Sequence, residues 1–112
     1  GDAKALQLAL QGIERGWDVD DSVPPVARIF MYLPLEHAED MGMQQSSVVA
    51  FEQLLQESAP AQRDFFEGTL DYAHKHLDVI EQFGRFPHRN AMLGRPSTPE
   101  EVEFLTEPGS SF

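Results

Sequence analysis

The segment FGRFPHRNAMLGRPSTPEE, residues 83–101, concentrates the side chains best suited to gripping an anion. Arg85, Arg89 and Arg95 bring planar, permanently charged forks that match carboxylate or phosphate oxygens two at a time. His88 titrates near neutral pH, and Asn90 tolerates unusual backbone geometry or bonds its own chain. No acid occurs from Gln82 to Pro99, although the chain as a whole sets eight Lys and Arg against nineteen Asp and Glu, a formal charge of −11. A second cluster, Glu36, His37, Glu39 and Asp40, lies upstream. On one helix Glu36 and Asp40 stand a turn apart, with His37 between them and the apolar stripe.

Two kinds of chemistry fit these clusters. In one, the arginines and the N-terminus of a following helix form an anion pocket. His88 is then the acid or base, and Glu36 or Asp40 orients it. In the other, Glu36, His37, Asp40 and His88 supply oxygen and nitrogen donors to a divalent metal. The spacing is not that of HExxH, and three neighbouring acids also describe an ordinary solvated helix face. A structural account competes with both: the arginines pair with Glu36, Glu39 and Asp40 and pin an irregular loop onto the fold. His74 and His76, two apart, cannot chelate one ion together; His76 falls on an apolar face and reads as a buried imidazole bonded to a neighbour such as Tyr72. No phosphate loop, dinucleotide fingerprint or serine nucleophile elbow is present. Whether the chain is an enzyme stays open, and no cofactor is called for.

The elements that must position these groups are helical. Leu6, Ala9, Leu10, Ile13 and Trp17 recur at helical spacing, with Asp2 placed as a cap. A polar connection runs from Asp18 to Pro25, and Pro25 opens the next helix at its first position. Val26, Ile29, Phe30, Leu33 and His37 form the second stripe. Pro34 predicts a kink or a break there, and Met41–Met43 around Gly42 is expected to end the element. Val48, Phe51, Leu54 and Leu55 mark a third helix, capped near Gln44–Ser46 and stopped before Pro60. The fourth has the strongest pattern, Phe66, Thr69, Leu70, Ala73, His76, Leu77, Ile80 and Phe83, closed by Gly84 in the left-handed conformation. After the basic loop, in which Gly94 allows a positive dihedral, Thr98-Pro99-Glu100-Glu101 announces a capping box and a short fifth helix. No strand pattern appears. The expectation is a single all-α domain over 1–112, four to five antiparallel helices in a bundle or helical-hairpin array.

Composition narrows the partners. A strongly acidic chain does not suit nucleic acid, which needs a broad basic face. There are no cysteines, so disulfides, thiolate metal sites and cysteine nucleophiles are excluded. No apolar run is long enough to span a membrane, and no targeting pattern opens the chain, which points to the cytoplasm.

YLPLEHAED (32–40), FGRFPHRNAMLGRPSTPEEVEFL (83–105) and the ending EPGSSF together resemble the bacterial family known as domain of unknown function 924. The resemblance implies an all-helical fold similar to tetratricopeptide-repeat arrangements, that is, stacked helical hairpins. It places Glu36, His37, Glu39, Asp40, Arg85, His88, Arg89 and Asn90 on the family pattern and implies no reaction. Family members usually begin with further helices containing an LDQFPRN-like segment, so this chain resembles their C-terminal two-thirds. Apolar faces left without those neighbours are expected to be covered by self-association, as a two-fold homodimer. The leading functional expectation is a helical interaction module engaging a protein partner or its own copy. A small anionic ligand held by the arginines is the alternative.

Overall fold

Each predicted stripe becomes a helix, and the chain stacks these helices in order. The computed structural model describes residues 2–19 and 22–112. It contains α1 (Asp2–Glu14), α2 (Pro25–Glu36), α3 (Met41–Glu57), α4 (Arg63–Phe83) and α5 (Pro99–Leu105), with short 3-10 turns at Trp17–Val19, Pro60–Gln62 and Pro87–Arg89. Among the described residues there is no strand. Short connections force neighbours to run antiparallel, so α1 packs on α2, α2 on α3 and α3 on α4. The result is a slab, 47 × 30 × 19 Å, rather than a closed bundle. The Asp2 side chain, expected to cap α1, lies outside the described residues.

The main core is Tyr32 and Leu35 of α2, Val48, Phe51 and Leu54 of α3, and Phe66 and Ala73 of α4. Phe51, Leu54 and Ala73 are wholly buried. A smaller cluster, Val79, Ile80 and Phe86 against Phe83 and Phe104, glues the basic loop and α5 to the end of α4. Beneath α2 the Tyr32 hydroxyl donates to Asp18 at 2.7 Å, and the buried Arg28 reaches Tyr32 and Glu57. Tyr32, Asp18 and Arg28 thus offset much of one another's lost hydration, while Arg28 Nε and, on α3, Ser47 Oγ and Gln44 Oε1 stay buried without a bond among the described residues.

Most helix boundaries follow the sequence. Pro25 sits in the first turn of α2, Gly84 closes α4 at φ 73°, and Thr98 and Glu101 make both bonds of a capping box. The junction of α2 and α3 differs. Pro34 neither breaks α2 nor splits it in two, because it falls in the last turn and the His37 N–H still reaches the Leu33 carbonyl at 2.9 Å. The helix stops after Glu36, and Met41–Met43 opens α3 instead of closing α2. Asp40 caps α3 by accepting from the Met43 N–H at 2.9 Å. Gln44, wholly buried, donates to the Glu36 and Ala38 carbonyls at 2.6 and 2.8 Å and so satisfies groups that the end of α2 orphans. Glu36 and Asp40 therefore do not share one helical face.

Candidate functional site

The basic loop is consumed by the fold. Glu39, between α2 and α3, accepts from Arg95 Nη1 and Nη2 at 2.9 and 3.1 Å and from the Phe86 N–H at 2.6 Å. Arg95 also donates to Asn90 Oδ1 at 3.0 Å and to the Phe86 carbonyl at 3.2 Å. Asn90, nearly inaccessible to solvent, donates in turn to Ser97 Oγ at 3.0 Å. Burial works to raise the Glu39 carboxyl, but the Arg95 fork and the Phe86 amide overcome it and hold the group below its ordinary value. Arg85 turns the other way. It grips Glu101 through Nε and Nη2 at 2.9 and 2.7 Å and reaches the Pro96 carbonyl at 2.9 Å. Arg85 and then the Thr98 amide hold Glu101 down to about 2. One acid thus completes a capping box and an arginine fork at once.

Arg89 is the exception. It makes no ion pair among the described residues and lies 4.7 Å from the Phe86 ring centroid. It borders a small recess with His37, Glu39 and the exposed cap Asp40. His88 packs against the rings of Phe86 and Phe112 at 5.9 and 5.8 Å, with its Nδ1 buried and unbonded among the described groups. Burial, aided by Arg89, lowers its pKa. The loop and the acidic segment do meet, through Glu39 and Arg95. Glu36 lines a different cavity, Arg85 is taken up by Glu101, and among the described residues no three His, Asp or Glu side chains stand close enough to hold a metal ion.

Glu36 and His37 instead face a cleft between α2 and α4. Its volume is about 560 Å³, within the range of small-ligand sites. Ile29, Leu33 and Glu36 of α2, with His37 just past its end, form one wall. The opposite wall is a ridge of α4 in which Asp64, Gly68, Tyr72 and His76 recur every fourth residue, beside Phe65 and Thr69. Phe51 and Phe112 complete the lining.

The polar centre of the cleft is Glu36 with His76, 4% and 6% exposed. His76 Nδ1 lies 2.7 Å from the Tyr72 carbonyl and 3.2 Å from Glu36 Oε1. A carbonyl only accepts, so Nδ1 carries the hydrogen and Nε2 keeps its lone pair. The Phe112 ring stacks on the imidazole at 3.9 Å between centroids. Burial pushes the Glu36 carboxyl up to about 7 and the His76 imidazole down to about 4. At this separation two charged groups would make an ion pair. The cost of burying charge favours the neutral imidazole, with the carboxyl poised around neutrality. Sequence reasoning placed Glu36 with the basic loop and His76 in the core. The four-residue recurrence of Asp64, Gly68, Tyr72 and His76 is the signal that marks the wall.

A family model described as a bacterial protein of unknown function matches residues 1–109. The chain belongs to this DUF924 family. This DUF924 chain is also similar in structure to a protein of unknown function from Agrobacterium tumefaciens, at 38% identity and a TM-score of 0.76 over 93% of the chain. The chain spans 52% of that neighbour's length. No curated protein matches it. Among the described residues, no helix is long and apolar enough to cross a membrane.

Proposed function

We propose that this chain is a helical-hairpin binding module whose ligand site is the cleft between α2 and α4, with the arginine loop acting as a brace. The observation that carries this reading is Gly68. Glycine in the interior of a 21-residue helix costs about 1 kcal/mol relative to alanine. A Cβ added at Gly68 would meet nothing within 4 Å. Neither packing nor a left-handed backbone calls for glycine there, and its missing side chain keeps the α4 wall open. Neutral, environment-sensitive Nile red tests the reading. The expected result is one binding site, amide shift changes at Ile29, Leu33, Thr69 and Tyr72, and loss of both in a folded Gly68→Phe variant that fills the cleft. A Gly68→Phe variant that binds the dye as the parent does would overturn it.

A second reading, self-association through apolar helix faces as a two-fold dimer, draws on Phe30, Phe65 and Val26, which are 74%, 55% and 51% exposed. Among the described residues, the anion-pocket alternative keeps Arg89 as the loop arginine without a carboxylate ion pair, which favours the cleft over the loop.

A further inference from the structure

We infer that the α2–α4 cleft selects an organic monocation with a hydrophobic body, its ammonium directed to Glu36 and its apolar part to the surrounding rings. This rests on the reading of the cleft given above and names its ligand class. Among the described residues that line the cleft there is no Lys or Arg, whereas two carboxyls, Glu36 and Asp64, are present. The remaining polar groups, His37, Thr69, Tyr72 and His76, bring no permanent positive charge. The Thr69 hydroxyl is already committed to the Phe66 carbonyl at 2.9 Å. His76 Nδ1–H is committed to the Tyr72 carbonyl, so what the imidazole can offer a ligand is an acceptor at Nε2. Acceptors and acids therefore dominate the polar lining, and Phe65 and Phe112 give it aromatic faces, while the Tyr72 ring already has the Lys75 ammonium 5.4 Å from its centroid. Aromatic faces attract ammonium groups, and a carboxylate removed from water attracts them further. Glu36 is the more deeply buried of the two cleft acids, and among the described residues its ion-pairing neighbour is His76, held neutral by burial, so no permanent cation offsets its charge. An anionic ligand would meet two carboxyls here and no fixed positive charge.

The same geometry couples binding to a proton. Around the cleft with Glu36 are His37, which caps its helix, Asp64, Tyr72 and His76 from α4, and Lys75 over the Tyr72 ring; among the described residues α3 contributes Phe51 to the lining. From the loop beyond α4 the charges of His88 and Arg89 reach His76, and the C-terminal segment contributes the Phe112 ring. With burial holding the Glu36 carboxyl at about 7, an arriving cation favours its ionised form and expels its proton. Affinity for a cation then rises as pH increases through that value, and below it each binding event releases up to one proton.

The test uses phenylbutylammonium, its neutral isostere phenylbutanol and the anion phenylbutyrate, titrated calorimetrically in buffers of different ionisation enthalpy. The expected result is that the ammonium binds about ten-fold more tightly than the alcohol above the Glu36 value, an advantage of about 1.4 kcal/mol, and that phenylbutyrate binds weakest. Glu36→Gln abolishes the ammonium's advantage over the alcohol. Gly68→Phe removes both. If the alcohol binds as tightly as the ammonium, or Glu36→Gln leaves the preference intact, the charge inference fails while the cleft stands as a site. If neither probe binds the parent protein, both fail together.

Discussion

Replacing Glu36 by glutamine should stabilise the protein at neutral pH and above, contrary to the usual outcome of altering a buried polar group. The native carboxyl keeps its proton to about 7, whereas an unfolded glutamate loses it near 4.5. Between these values the native state holds more protons, so stability falls as pH rises, and the full cost is present above about 7. The interval corresponds to an upper limit of about 3 kcal/mol, and relaxation around the site brings the expected figure to about 2 kcal/mol. His76 acts with the opposite sign. Its native value of about 4 lies below the ordinary 6.5, so its contribution to stability is lost as pH falls through that window. Where the windows overlap, the two slopes oppose each other, and this pair gives the parent protein little net pH dependence. Glutamine has nearly the shape of the protonated acid and removes one slope only. Urea unfolding followed by circular dichroism across this range should show the variant equal to the parent near pH 4.5 and more stable by about 2 kcal/mol near pH 8. A difference that stays constant with pH, or a variant less stable than the parent at the alkaline end, would refute the reasoning.

The brace separates the arginines. Arg95→Ala breaks the fork on Glu39, both partners being about a quarter exposed, and should cost about 2 kcal/mol in urea unfolding, less than a fully buried pair, whereas Arg89→Ala removes a contact with the Phe86 ring and a through-space attraction to Glu39 and should cost under about 1 kcal/mol. Equal losses from the two would mean the loop is not held as described. For self-association, multi-angle light scattering at micromolar concentration should report twice the chain mass of 12.6 kDa, reverting to one chain mass in Phe30→Asp; a compact monomer for the parent removes the dimer proposal.

What the sequence reveals here depends on whether the interaction is local. The α4 stripe, the Gly84 stop and the Thr98–Glu101 box are set by residues within a turn or two of each other, and the chain shows them directly. The meeting of the basic loop with the acidic segment was also legible, because unlike charges in so acidic a chain have few other places to go. Partner choice was not. Whether Glu39 or Glu101 receives a given arginine is settled by where Phe86 and Thr98 present their amides. The end of α2 was misplaced for the same reason, since Gln44 on the following helix satisfies its last carbonyls. The cleft was hidden because its α4 wall mixes an acid, a glycine, a tyrosine and a histidine. That row has no hydrophobic signature, although its four-residue spacing is plain once the facing helix is known.

Glu101 lies within a helix of seven residues, a length far below what survives alone in water. Its order is borrowed from Arg85, sixteen positions earlier, while Arg95 on the intervening loop is moored to Glu39. The polypeptide beyond Gly84 is thus a buckle with two clasps sharing one strap, and loosening either should let the whole end of the molecule open as one cooperative unit while the hairpins stay closed.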